Sequence, residues 1–179
     1  MPKHLTFKCV AYALAGKHHL QTTFTLRPFK PSDLEKVMNI NRVCLPENYS
    51  PYFFMDLYER YPATFIVAEQ ERNVVGYIMC RIETGFSSFG LFGISKKGHV
   101  VSIAVLPKHQ HKSVGTALMK EAMKNIRLYK TKECYLEVRV SNVPAVGMYK
   151  KLGFQVARTK RGYYADGEDA YVMAKNLKE

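Results

Sequence analysis

The sequence predicts one mixed α/β (α+β) domain, with a central sheet of about six to seven strands flanked by about four helices. Three observations carry that prediction. At 179 residues the chain is about one domain long, and 47% apolar with 12% aromatic residues is enough to bury a core. Segments of strand period and of helix period follow one another from residue 23 onward. No internal repeat or linker interrupts them.

The elements follow in order. Residues 23–29, TFTLRPF, alternate and read as a first strand, with Pro28 near its end. A helix opens at Pro31, with Ser32 as N-cap and Glu35 completing a capping box; Leu34, Val37, Met38, Ile40 and Val43 form its buried face. The segment CLPENYSP, residues 44–51, is a loop, and Pro51 begins a second helix through Tyr58. Residues 64–83 hold two β-rich runs around Glu71, Arg72 and Asn73, a hairpin. Residues 85–98 read as a loop whose aromatic side chains pack over the sheet edge. HVVSIAVL, residues 99–106, is apolar at nearly every position and is expected as a central strand buried on both faces.

From Val114 a stripe of Leu118, Met119, Ala122, Met123 and Ile126 opposes Lys120, Glu121, Lys124 and Arg127, a helix of about four turns. CYLEVRV, residues 134–140, is the next strand, and Asn142 caps a helix through Leu152 that Gly153 stops. Strands around 154–159 and 170–174 flank KRGYYADGED, whose Asp166, Glu168 and Asp169 read as surface charge. The domain is therefore assigned to 23–179, and 1–22 to a basic, loosely ordered N-terminal extension. Its CVAYALAG run mimics a signal peptide, but Lys8 interrupts it and it is short for a membrane span.

The formal charge of +12 favours polyanionic partners: nucleic acid, ribosomes, membrane head groups, phosphorylated cofactors. No basic run interleaved with aromatics and no unbroken basic helix face accompanies it, so specific nucleic-acid readout is not expected, nor a membrane partner. Cys9, Cys44, Cys80 and Cys134 are far apart and lack metal-ligand spacing, which suits reduced thiols in a cytoplasmic protein.

The run HQHKSVGTALMKEAM joins a strand to a helix through a polar, glycine-containing turn. Such a junction leaves the first helical N–H groups outward at the positive end of the helix dipole, an anion site suited to a pyrophosphate. Gly115 permits close approach, and Gln110, His111, Lys112 and Ser113 add donors. His99 and Glu137 stand at corresponding levels of two central strands, where ionisable groups are expensive unless paired or solvated, so they should meet in a wet cleft. They would be a weak metal pair at most, and no metal is expected.

The run 110–115 resembles the Q/R-x-x-G-x-G/A loop of the GNAT N-acetyltransferases, with Ser113 where the first glycine is usual. A serine fits there if its φ stays negative. Residues 142–154 resemble the second signature, N-x-x-A-x-x-x-Y-x-K-x-G-F. LPENY, GYIMCRIE, GHVVSIAVL, YLEVRVSN and GYYADGEDAY together resemble the archaeal Nα-acetyltransferases and the NatA-type catalytic subunits.

That resemblance implies a GNAT fold with splayed central strands, and transfer of acetyl from acetyl-CoA to protein N-terminal α-amines with Ser, Ala, Thr, Gly or Met first. It implies Glu47, a His99/Glu137 water relay and Tyr149, donor to the departing thiolate, as catalytic residues. The cofactor would be held by the main chain of Ile103, Ala104 and Val105, by Gln110, His111, Lys112, Ser113, Val114, Gly115 and Thr116, and by Asn142 and Tyr149. The peptide would meet Pro46, Tyr49, Ser102, Tyr163 and Tyr164, both of the last two if their segment is a hairpin loop. The partners implied are nascent or completed N-termini, with a ribosome or an auxiliary subunit. Two alternatives are a lysine or small-amine acetyltransferase and a non-catalytic, ribosome- or RNA-associated module of the same fold.

Overall fold

The computed structural model describes residues 23–89 and 93–177. The N-terminal extension and Cys9 lie outside the described residues. Seven strands, β1 (Thr25–Pro28), β2 (Ile66–Gln70), β3 (Asn73–Phe86), β4 (Ile94–Val105), β5 (Glu133–Arg139), β6 (Gln155–Lys160) and β7 (Ala170–Asn176), form one sheet in the order β1-β2-β3-β4-β5-β7-β6. All neighbours are antiparallel except β4 and β5, which are parallel.

Four helices cover the two faces: α1 (Leu34–Cys44), α2 (Pro51–Arg60), α3 (Val114–Ile126) and α4 (Val143–Lys151). On one face Val37 and Ile40 of α1 and Phe54 and Leu57 of α2 pack on Val67, Tyr77, Met79 and Ala104. On the other, the α3 stripe of Leu118, Met119, Ala122, Met123 and Ile126 meets Ile78, Val100 and Leu136, with Val146, Tyr149 and Leu152 of α4 beside it. Among the described residues no helix is long and apolar enough to cross a membrane.

Three expectations need correction. The first helix starts with a 3-10 turn, Pro31–Asp33, and Asp33 rather than Ser32 fastens it: the Asp33 carboxylate accepts the Lys30 N–H at 2.9 Å and binds Arg27 at 2.6 and 2.9 Å. Burial opposes charge on Asp33, yet these donors hold its pKa below the ordinary value. Secondly, Val43 is 57% exposed, because the helix turns Asn41 inward instead, where its amide donates to the Tyr77 hydroxyl at 3.0 Å. Thirdly, much of the expected loop at 85–98 is strand. Phe86 pairs with Ile94 at the end of a long β3–β4 ribbon, and Phe86 is 76% exposed rather than packed over the sheet edge.

The parallel β4–β5 ladder ends early. Only Lys97↔Glu133, Gly98↔Cys134 and His99↔Tyr135 pair, while β4 continues to Val105 and β5 to Arg139. A register shift at Met79/Cys80 accompanies the departure: Met79 faces Ser102 and Cys80 faces Val100, leaving Val101 as the extra residue of a β-bulge. Beyond His99 the two strands diverge around a gap.

At the paired end the packing is tight. A Cβ on Gly98 would lie 2.4 Å from Cγ2 of Ile126, a β-branched side chain that is fully buried. We expect Gly98→Ala to cost about 1–3 kcal/mol, the usual penalty for overpacking, measurable by urea unfolding; unchanged stability would show that α3 can shift away from β4.

Candidate active site

The gap between β4 and β5 opens into a cleft of about 730 Å³. One wall is the α1–α2 loop with Leu45, Pro46, Glu47 and Tyr49; the opposite wall is the β6–β7 hairpin with Tyr163 and Tyr164. Val101, Ser102 and Ile103 on β4, and Glu137 and Arg139 on β5, form the floor, with His99 at the closed end and Asn142 and Tyr149 of the α4 region at the other. Pro46, Glu47, Tyr49, His99, Ser102, Ile103, Glu137, Asn142, Tyr149, Tyr163 and Tyr164 thus share one cavity, as the sequence leads one to expect. Ala104, Val105 and residues 110–116 are outside its lining and continue along β4 into the start of α3.

His99 and Glu137 touch directly, Nε2 to Oε2 at 2.7 Å, both side chains being about nine-tenths buried. Lys160 binds the other Glu137 oxygen at 2.7 Å. Burial alone would raise the Glu137 pKa, but His99 and Lys160 outweigh it and hold the carboxyl down to about 2. Because the pair is in contact, a relay water has to meet it from the cleft rather than lie between the two side chains.

Glu47 is tethered twice. Its carboxylate accepts Arg139 Nη2 at 2.7 Å, and its main-chain carbonyl accepts the Asn41 amide at 3.2 Å. Arg139 also binds Asp166 at 2.7 Å and Glu168 at 2.8 Å and lies 3.9 Å from the Tyr164 ring centroid. The acidic residues expected as surface charge are therefore fasteners: Glu168 also accepts the Ser141 N–H, and Asp169 accepts that of Gly162. The segment is a hairpin loop, and Tyr163 and Tyr164 both reach the cleft, edge to face at 5.1 Å. Tyr49 stacks on Phe53 at 4.8 Å, whereas the Ser102 hydroxyl turns down to Tyr77 at 2.8 Å.

Arg139, Arg81 and Lys160 were missed in the sequence. For Arg139 a signal existed: in LEVRV it is two residues beyond Glu137, so on a strand both side chains share a face. Nothing comparable marks Lys160, whose partner is contributed by another strand.

The open edge of β4 supplies main-chain donors. Leu106 N–H bonds to Val75 on β3, so by strand alternation Ala104 N–H points the same way, and those of Ile103 and Val105 face the gap. Two of the three expected amides are thus aimed at the cleft side. The strand end is pinned to the following turn, since Gln110 Nε2 donates one of its two hydrogens to the Val105 carbonyl at 2.9 Å.

Ser113, the N-cap of α3, has φ of +62°, and His111 has +58°. The condition of a negative φ at Ser113 is not met: the turn keeps the left-handed conformation that glycine favours, and serine adopts it under strain. Ala117 N–H reaches back to Ser113 O, so Val114, Gly115 and Thr116 present N–H groups with no carbonyl in the preceding turn to take them. Asn142 caps α4 by accepting Ala145 N–H at 3.2 Å. Tyr149 is buried, which raises its pKa, and its hydroxyl has no hydrogen-bond partner among the described residues.

Among the described residues the sheet is splayed at its one parallel pair, beside an exposed strand edge and an N–H-rich turn into a helix. The pattern of the acetyltransferase (GNAT) family matches residues 34–154, and the chain belongs to that family. Within it the chain groups with the Nα-acetyltransferases. It is 51% identical over 156 residues, 86% of this chain and 93% of the relative, to an N-alpha-acetyltransferase of Sulfurisphaera tokodaii. It is 35% identical to the N-terminal acetyltransferase complex ARD1 subunit homolog of Dictyostelium discoideum, covering 86% of this chain and 73% of the relative. The crystal structure of Ard1 from Thermoplasma volcanium superimposes with a TM-score of 0.75 at 30% identity, covering 87% of this chain and 99% of that one. The protein is an acetyltransferase with acetyl-CoA as cosubstrate.

Two outcomes follow. Left-handed φ costs a non-glycine residue about 1–2 kcal/mol, partly offset by the greater chain entropy of glycine, so Ser113→Gly should stabilise the fold by up to about 1 kcal/mol in urea unfolding. For Glu137 the folded pKa, about 2, is below the ordinary 4.5. Its stabilising contribution is therefore complete above pH 4.5 and lost as pH falls toward 2. Glu137→Gln should remove that part of the acid-induced loss, as followed by thermal melts across this window.

Proposed function

We propose that the enzyme acetylates the N-terminal α-amine of proteins whose first residue is Ser, Ala, Thr or Gly, and also Met. The observation that carries the reading is the cleft itself: Glu47 on one side and the His99–Glu137 pair on the other face a strip of unpaired β4 backbone under a roof of Tyr49, Tyr163 and Tyr164. A flexible chain end can thread between two aromatic walls; a lysine in a folded surface cannot bring its backbone along.

In this reading the pyrophosphate of acetyl-CoA rests on the N–H groups of residues 114–116, and pantetheine runs along the open edge of β4. An α-amine has a pKa near 8, so about a tenth is already neutral at pH 7 and modest basic assistance suffices. Its nitrogen attacks the thioester carbon, and the amides of Ile103 and Val105 meet the developing oxyanion. The ammonium proton leaves through Glu47 or through a water to the Glu137–His99 pair. The carbon–sulfur bond breaks, and Tyr149, kept protonated by burial, gives its proton to the thiolate.

The +12 charge supports a polyanionic docking site such as the ribosome, and the Dictyostelium relative, named as a subunit of a complex, supports an auxiliary subunit. A cytoplasmic site of action completes the reading.

The test is release of free CoA with a Ser-initiated peptide, against the same peptide N-blocked but carrying internal lysines. Turnover is expected only with the free terminus; turnover of the blocked peptide would sink the α-amine reading and favour a lysine acetyltransferase. With two parallel proton routes, Glu47→Gln or His99→Gln alone should each lower kcat only in proportion to the share of the flux that route carries, whereas the pair together should lower it about a hundredfold or more. Wild-type kcat in the double variant would rule both residues out of the chemistry.

A further inference from the structure

An imidazole has two nitrogens, and only one of those in His99 is satisfied. Nε2 meets Glu137, while Nδ1 is buried with no hydrogen bond, the one such side-chain atom among the described residues. Oε1 of Glu83 on β3 stands 3.4 Å from it.

Glu83 is held from several directions. Its Oε2 accepts the Tyr135 hydroxyl, and its Oε1 accepts Arg81 Nε at 2.5 Å. Burial disfavours its charge, but Tyr135, His99 and Arg81 bring its pKa below the ordinary value. Burial and the Glu83 carboxylate together raise Tyr135, so the phenol keeps its proton and acts as the donor. The same phenol ring lies flat on the His99 imidazole, centroids 4.4 Å apart and planes at 5°. Around the ring the charged and titratable groups are Arg81 and Glu83 from β3, Lys97 from β4, Tyr135 and Glu137 from β5, and Lys160 from β6. Of these only the carboxylates can accept a ring proton, and Glu137 is already on Nε2.

We propose that Glu83 is a positioning residue for His99: it accepts the hydrogen bond of Nδ1–H, so that Nε2 is the nitrogen that gains and loses a proton beside Glu137. Which nitrogen of a histidine carries the proton is set by what the other nitrogen bonds to. Without an acceptor at Nδ1, the neutral ring would place its hydrogen on Nε2 and could accept nothing on the face that Glu137 presents. With Glu83 in place the Nδ1–H stays directed at Glu83, and a proton released by the amine comes through a cleft water to Nε2, where it is donated to the Glu137 carboxylate across the 2.7 Å contact. No bond to Glu83 is made or broken in turnover. Tyr135 fixes both the carboxylate and the ring plane. The inference rests on the reading of His99 and Glu137 as a relay.

The ring proton is read directly by nitrogen NMR of the full chain labelled with ¹⁵N-histidine. Wild-type His99 should be protonated at Nδ1, and Glu83→Gln should move the neutral ring toward the Nε2–H tautomer; a wild-type ring protonated at Nε2 alone would overturn the assignment. Kinetics supply the second arm. Glu83→Gln should lower kcat by no more than His99→Gln does, leave KM for acetyl-CoA unchanged, and cost nothing further in a His99→Gln background. Equal losses in both backgrounds would reduce Glu83 to a structural residue. Tyr135→Phe, which keeps the stacked ring, should give a smaller shift in the same direction, and thermal melts check that each variant is folded. If His99→Gln alone leaves kcat unchanged, the relay reading fails by itself, while the NMR still decides whether Glu83 sets the ring proton.

Discussion

Everything in the cleft depends on two adjacent parallel strands that stop bonding to each other. β4 and β5 share three residue pairs and then separate, so one half-sheet of β1 to β4 and another of β5 to β7 meet along a short hinge of ladder. An unpaired strand edge inside a protein is normally a cost, because each buried N–H needs an acceptor. Here the bulge at Val101 bends β4 where it leaves β5, and the antiparallel bonds to β3 continue beyond it, so the other edge stays open. The amides left over on that edge belong to Ile103 and Val105, so it is backbone rather than side chains that β4 turns toward the gap.

The charges of the site sort themselves around that gap. At the closed end Arg81, Glu83, His99, Glu137 and Lys160 are drawn together from four strands, and each carboxylate has more than one donor. At the open end Arg139 gathers Glu47, Asp166 and Glu168 and so ties the two walls to the floor. Burial makes the first cluster costly to break, whereas the second is more open to water and its single ion pairs are individually weak. The closed end is therefore the more firmly held of the two.

Most of the fold was legible because local signals agreed: Asn142 and Gly153 bracket α4, Glu71 and Arg72 make the tight turn between β2 and β3, and the apolar stripe of α3 is buried as its spacing requires. The errors arose where tertiary bonding overrode local preference. Arg27 turned Asp33 into the fastening residue instead of Ser32, and Tyr77 drew Asn41 inward at the expense of Val43. Within the site, Glu47, His99 and Glu137 were found by type and place, but their partners were not. Arg139 could have been found from its strand face shared with Glu137, but Glu83 and Lys160 become meaningful only when strands distant in sequence are set side by side, and one chain read alone carries no record of that adjacency.

The loop bearing Glu47 is held by two bonds of different character. The Asn41 amide grips its main chain and passes through Tyr77 to Ser102, a neutral chain whose phenol, with its pKa pushed up to about 12, keeps its proton. The carboxylate is steered instead by Arg139 at the mouth of the cleft, where ions can compete. Added salt would therefore leave the loop in place while loosening the aim of its side chain, so that where the residue sits and where it points are set by independent forces.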